Sequence, residues 1–432
     1  GTSEPLLRSI PVISGAAAAW LAYRWLSSRG DRAAGVFAGV LLALSPMLIG
    51  LHAQLRGYAL ATALAAGSLW MLETAVVRDS ALRFGGYTLL AALAVLTEYP
   101  AAFLLPGAAI YSWLLLCVPG RSQRTRLAWL AAQLLLAALC IFLYQTHVVH
   151  AAKWRPSLEY LALWLAPYLP REGEDGIIFA LRGTFGQFRF LIPSIPTAAA
   201  GMALAVGLLF AWIWTFSRRS VANLFLFVLP FAAAFTAALV RLHPYGMTRQ
   251  TSLLAIFAAA GIGLALARLF GGRVLPAALA ALVFAAPWHL AKFRDWNNVP
   301  WERNRREDMA RALQYLRSSV PAGAAVVTDA ETRLTMAAYL EPYRPSPELE
   351  ALPSIEILGG FTWFAARWSF SSGGDLVKDI AAFRERYPNW SGPIYVADGG
   401  FVTTACAAVE GRPGFRRIDD FGGALCLIET QP

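Results

Sequence analysis

The chain has 432 residues, of which 57% are hydrophobic and only 15% charged. A soluble globular protein of this length carries charge on roughly a quarter of its residues, so a purely soluble fold is excluded. The net charge of +10 does not point to nucleic acid, because its arginines fall in short clusters between apolar runs rather than on one basic face.

A hydrocarbon core ~30 Å thick takes ~20 apolar residues of helix to cross. Ten segments fit that description: 11–27, 33–51, 58–77, 84–99, 101–118, 127–147, 197–216, 221–240, 250–268 and 274–291. Arg24, Glu73 and Glu98 sit near segment ends, where long side chains reach the interface. Every second connection is rich in arginine: Arg24, Arg29 and Arg32; Arg78 and Arg83; Arg121, Arg124 and Arg126; Arg218 and Arg219; Arg268 and Arg273. The intervening short connections hold Arg56, then none, then Arg241 and Arg249. This is the positive-inside pattern. It predicts that loops 52–57, 148–196 and 241–249 and everything after 291 lie outside the cytoplasm. The chain then opens outside as well, without an initiator Met, which predicts an N-terminally truncated sequence with at least one earlier span.

The long connection 148–196 mixes Trp154, Tyr160, Trp164 and Tyr168 with Lys153, Arg155, Arg171 and Arg182. Within it, Ser157 to Leu165 reads as an amphipathic helix on the membrane surface. After residue 291 the composition changes. Asp308 to Ser318 and Thr332 to Leu340 have helical spacing, whereas 325–328, 394–397 and 424–428 read as short strands. The expected fold class is therefore an all-α polytopic membrane domain over 1–291, with about ten transmembrane helices, followed by a small, largely parallel α/β soluble domain over 292–432. Cys117 and Cys140 fall in spans and read as apolar fillers. Cys406 and Cys426 fall in the exported tail, where an oxidising compartment permits a disulfide.

Two clusters at the outer boundary carry polar groups of the kind that mark function in membrane proteins. The first is His52-Ala53-Gln54-Leu55-Arg56-Gly57-Tyr58, in which Arg56 is suited to hold a phosphate by paired donors. The second is Arg241-Leu242-His243-Pro244-Tyr245-Gly246-Met247-Thr248-Arg249. Here two arginines, a histidine and an expected helix start near Arg249 form a candidate anion site. Glu98 and Tyr99, before Pro100, are weaker candidates, with Glu98 a possible base or metal ligand. Spacing alone also fits interfacial anchoring for each cluster. No His/Cys set has metal-ligand spacing, no cofactor is expected, and a divalent metal stays open.

The opening Gly1-Thr2-Ser3-Glu4-Pro5-Leu6-Leu7-Arg8 resembles the G-x-S-E-x-x-x-R stretch of bacterial glycosyltransferase family 39, the group of protein mannosyltransferases and aminoarabinose transferases. Ser45-Pro46 with Arg56-Gly57-Tyr58 resembles its SP…R-x-Y segment, and His243-Pro244-Tyr245-Gly246 with Arg249 its HP-x-G-x-x-R loop. The resemblance implies a GT-C fold and a bacterial inner-membrane enzyme. Such an enzyme moves a sugar from a polyprenyl-phosphate carrier to an acceptor outside the cytoplasm. It implies that Arg56 and Tyr58 line the donor phosphate cavity and that Arg249 binds the lipid phosphate with His243 and Tyr245 nearby; His52, Gln54, Glu98, Tyr99 and Arg241 are secondary candidates. The family's catalytic carboxylate falls in an outer loop expected before Gly1, so the catalytic residue is unassigned. Where the family pattern has a basic residue after the fourth span, this chain has Glu98-Tyr99. Two other classes compete: a transporter or flippase of a lipid-linked sugar, and an inactive paralogue acting as a binding subunit. Sugar, acceptor and oligomeric state are not legible.

Overall fold

The computed structural model describes residues 4–52, 54, 56–149, 166–215, 217–285, 306–340, 353–367, 376–399, 412–419, 421–423 and 425–430. These fall into two compact units, one ending at Ala285 and the other beginning at Arg306. The division expected at 291/292 and the surface helix expected at 157–165 lie outside the described residues.

The first unit is all helix. Its first helices are α1 (Glu4–Ser28), α2 (Arg32–Leu44), α3 (Pro46–His52), α4 (Tyr58–Val77) and α5 (Ala81–Thr97). A 3-10 turn, Tyr99–Phe103, then leads into α6 (Leu104–Leu116), and α7 (Gln123–Leu143) ends in a π turn, Tyr144–Val148. The remaining helices are α8 (Gly176–Leu191), α9 (Ile195–Thr215), α10 (Arg218–Leu239), α11 (Leu254–Leu269) and α12 (Val274–Ala285). Among the described residues, five stretches are long and apolar enough to cross a membrane, six if α2 and α3 count as one bent span. The helices α5, α11 and α12 are apolar but shorter. This is a multi-pass membrane architecture, and helix length alone does not reach the ten spans expected.

Two features depart from the expected segments. The run 33–51 is not one helix: α2 and α3 meet at 61°. Pro46 has no N–H to give and disfavours the helical conformation for the residue before it, and Ser45 is accordingly extended. The freed Ser45 hydroxyl donates to the Leu191 carbonyl at 2.8 Å. The connection 148–196 contains a full helix, α8. Asp175 caps it, its carboxylate accepting from the Ile177 and Ile178 N–H groups at 2.7 and 3.3 Å. Arg182 on α8 donates to both oxygens of Glu174 at 2.8 and 2.7 Å, which pins the turn before the helix.

Burial separates core from periphery. The apolar window of α4 is 72% buried, whereas that of α7 is 17% and that of α9 is 22%. Their exposed Leu134, Leu135, Ile141, Phe210 and Trp214 form an apolar exterior suited to lipid. Glu73 corrects the expectation that charge near span ends reaches the interface, because it is fully buried. Its Oε1 accepts from Arg219 at 3.0 Å, and its Oε2 accepts from Arg29 at 3.4 Å and from the Tyr111 hydroxyl at 2.5 Å. Arg29 also donates to Asn223 and lies over the rings of Trp25, Tyr111 and Phe227. The cluster thereby ties the Arg29 connection to α4, α6 and α10.

The second unit is α/β. Helix α13 (Arg306–Ser319) precedes strand β1 (Ala325–Asp329) and helix α14 (Ala330–Leu340). Strands β2 (Ser354–Leu358) and β3 (Phe361–Arg367), helix α15 (Leu376–Arg386) and strands β4 (Ile394–Asp398), β5 (Phe415–Asp419) and β6 (Cys426–Thr430) follow. The sheet order is β2-β3-β1-β4-β6-β5. The expectation of a largely parallel sheet needs correcting: only β3-β1-β4 is parallel, and β2, β6 and β5 pair antiparallel. The reason is local. Gly359 and Gly360 both have positive φ, 58° and 85°, and close Leu358 onto Phe361 as a two-residue hairpin loop. Strand β1 is buried along its length and feeds both faces by its period of two. Val326 packs with Met309, Leu316 and Trp363, whereas Ala325 and Val327 pack with Phe364, Ile380 and Phe383. Cys426 is disulfide-bonded, Cys117 and Cys140 are half-buried, and Cys406 lies outside the described residues.

Candidate functional site

Three separate connections of the first unit meet at one end of its helices: 52–58, 97–104 and 241–254. Glu98 terminates α5 in an extended conformation, its N–H donating to the Ala94 carbonyl. The following Pro100 explains why the helix stops. The Glu98 side chain turns back onto Gly57. A Cβ built on Gly57 would sit 3.3 Å from Glu98 Oε1 and 2.9 Å from Thr97 Cγ2, so glycine is what allows this approach. The carboxyl is half-buried. Burial raises its pKa, and Arg56 and Arg249 both oppose that rise. The two arginines singled out from separate motifs therefore act on one carboxyl group.

The remaining candidates of the first motif differ in exposure. Arg56 is exposed and Gln54 half-buried, whereas Tyr58 and His52 are buried. His52 packs on Gly15, where a Cβ would lie 2.8 Å from its Nδ1. Tyr99 is exposed, and its hydroxyl meets His147 Nδ1 at 3.0 Å, in the π turn that ends α7. His147 was not among the residues picked from sequence; a π turn is frequently a mark of function, but nothing in the apolar spacing announces it.

The second motif is held from beneath. Arg241 is exposed and adopts a left-handed φ of 57°. The His243 ring lies edge-on to Phe103, centroids 4.9 Å apart. Its Nδ1 meets the Pro244 carbonyl at 2.8 Å, so that nitrogen carries the hydrogen. Burial pushes His243 down to about 4, so the imidazole is neutral at pH 7 and adds no cation to the site. Tyr245 is buried, its hydroxyl 2.7 Å from Thr184 Oγ1, and burial pushes it up to about 12. Its ring lies on Gly183, where a Cβ would come within 2.1 Å. The Gly246 carbonyl accepts from Gln187 and, at 2.7 Å, from Thr251. Helix α8 thus seats the motif through Gly183, Thr184 and Gln187, which sequence reasoning missed; the glycine pair Gly183 and Gly186 on one helix face is the signal that marks such a close approach. Arg249 begins a 3-10 turn, Arg249–Thr251, and α11 starts only at Leu254. The helix dipole expected at Arg249 therefore sits farther along the chain.

An apolar cavity opens from the Thr184 end of this arrangement. Phe188 of α8, Met202 and Trp212 of α9, Phe231 of α10 and Phe257 of α11 are among its walls. Among the described residues, no group of three or more His, Cys, Asp or Glu is placed to hold a metal ion.

Comparison with known proteins adds a partial likeness. Residues 1–144, a third of the 432, match the dolichyl-phosphate-mannose-protein mannosyltransferase family. That stretch includes Arg56 and Glu98 and ends before the His243 motif. No curated protein matches. Two solved structures of the oligosaccharyltransferase from Archaeoglobus fulgidus are similar. The complex with zinc and sulfate aligns at 16% identity and a TM-score of 0.40, over 74% of this chain and 48% of that one. The apo form aligns at 15% identity and a TM-score of 0.46, over 91% and 58%. This chain spans about half the length of those structures.

Proposed function

We propose that this protein is an integral-membrane glycosyltransferase of the GT-C type, moving a sugar from a polyprenyl-phosphate carrier to an acceptor on the extracytoplasmic side. The observation that carries the reading is the convergence of Arg56 and Arg249 on Glu98. Two guanidinium groups from separate loops, at one end of an apolar helical unit, suit a lipid phosphate. The chemistry fits. The leaving group is a phosphate that gains negative charge as the sugar departs, so it needs fixed positive charge more than a protonating acid. A base is required only for the acceptor.

In this reading Arg56 and Arg249 hold the phosphate. Tyr58, His243 and Tyr245 shape the site, with His243 a neutral group and Tyr245 an anchor of its loop. The apolar cavity beyond Thr184 receives carrier chain. In this reading the end of the helices that carries the arginine clusters faces the cytoplasm, which the positive-inside pattern supports, and the protein crosses a bacterial inner membrane about ten times with the unit after residue 291 outside. The disulfide at Cys426 supports that side. Arg249→Ala tests the assignment: transfer from a polyprenyl-phosphate sugar falls by at least about a hundredfold, in the range for losing one charge-stabilising donor, while the variant still inserts and melts like the parent. Undiminished transfer by that variant removes Arg249 from the site.

A further inference from the structure

We propose that Glu98 is a built-in counter-ion for Arg56 and Arg249, which an incoming phosphate must displace from them, so that donor binding is coupled to uptake of a proton by Glu98. The inference rests on the donor site proposed above and concerns a residue that departs from the family pattern, where a basic group is expected.

The geometry places the carboxylate. Glu98 Oε1 lies 3.3 Å from where a Gly57 Cβ would stand, directly beside Arg56 in the chain. Phe103, at the end of the 3-10 segment that follows Glu98, packs on His243, and Pro100 and Leu104 border Gln250 and Thr251 in a shared cleft. That packing brings the Arg249 segment alongside. Both guanidinium groups act on the Glu98 carboxyl.

The charge arithmetic then decides the behaviour. Two arginines and an ionised Glu98 sum to +1. A phosphodiester brings one negative charge and must share the arginines with a carboxylate that repels it. Once Glu98 takes a proton from solvent, two cations face one anion. Burial already favours the neutral carboxyl, and the two arginines are what favour the ion. When the phosphate engages the arginines, that support is withdrawn and Glu98 protonates. When the carrier leaves, the proton returns to solvent. Among the described residues, the other titratable groups on the elements that meet here include Tyr58 and His52, Tyr99 with its partner His147, and His243 and Arg241 on the opposite loop.

The test uses the full chain in lipid nanodiscs and a polyprenyl methyl phosphodiester, which carries one negative charge at every pH used. Glu98→Gln is nearly isosteric and removes only the charge, so it subtracts the contributions of the neighbouring histidines. At pH 8 it binds the probe about tenfold more tightly than the parent, the scale of one unit charge removed from a partly buried site. On acidification to pH 5.5 the parent approaches the variant, which itself changes little. Glu98→Ala, measured beside it, also tightens binding at pH 8 and guards against an effect peculiar to the amide. Equal affinity of parent, Glu98→Gln and Glu98→Ala at pH 8 overturns the counter-ion role. Arg249→Ala separates the two readings. If it loses the probe while the Glu98 variants match the parent, the donor site stands and the counter-ion falls. If it binds as the parent does, the donor site itself is misplaced and the counter-ion falls with it.

Discussion

Glu73→Ala is the most informative perturbation of the scaffold. Glu73 is fully buried and accepts from Arg29, Arg219 and Tyr111. The Arg29 side chain is 2% exposed, whereas that of Arg219 is 48% exposed. Removing the carboxylate leaves Arg29 buried without its ion-pair partner, with Asn223 and the ring faces as its remaining contacts, a class of change that costs about 3–5 kcal/mol. Arg219 turns to solvent, and its share is at most about 1 kcal/mol. At about 2–4 °C per kcal/mol, the melting temperature of the first unit falls by about 10 °C. Arg219→Ala lowers it far less, and Glu73→Gln, which keeps the shape and a carbonyl acceptor for Tyr111, falls between. The assay is thermal unfolding of purified protein in nanodiscs, read by tryptophan fluorescence. A Glu73→Ala protein that melts with Arg219→Ala refutes the argument, because it means that Arg29 is stable in its buried position without Glu73.

Two further outcomes follow from the site. Gly183→Ala builds a Cβ 2.1 Å from the Tyr245 ring, so the ring must move; overpacking of this kind costs about 1–3 kcal/mol, and faster amide exchange over 243–248 together with weaker donor binding checks it. The His243 loop destabilises in acid: its folded pKa is about 4 against ~6.5 unfolded, so the unfolded form binds the extra proton and stability is lost as pH falls from about 6.5 towards 4. Limited proteolysis of the 241–248 loop across that range measures the loss, which His243→Gln flattens.

The parts of the fold that could be read in advance were those carried by local signals. The long apolar runs of α4, α7, α9 and α10 announce themselves, because a single apolar segment satisfies its own backbone in hydrocarbon only as a helix. Helix α8 was missed because Arg182, Thr184, Gln187 and Arg189 interrupt its apolar run, and the first three of these bind Glu174, Tyr245 and the Gly246 carbonyl respectively. Ser45-Pro46 carries a local signal for the break between α2 and α3, masked by the unbroken apolar run on either side of it. Glu73 looked like an interfacial residue because a linear window measures distance to a segment end and not what packs around it. The same blindness hid the meeting of Arg56, Glu98 and Arg249. Each arginine stood out in its own loop, but that Glu98 faces both is a property of helix packing. In the second unit the Gly359-Gly360 pair was a readable hairpin signal between β2 and β3.

The Glu73 cluster also bears on how the protein enters the membrane. A span carrying a carboxylate is poorly suited to lipid on its own, and α4, the most enclosed of the long apolar helices, has few faces that lipid would accept. Arg29 precedes Glu73 in the chain and α1 packs along α4, so one neutralising partner has already been synthesised when Glu73 emerges from the ribosome. Tyr111 and Arg219 come later, with α6 and α10. The chain order therefore lets α1 and α4 insert as a charge-matched pair, and the later helices close around a contact already made.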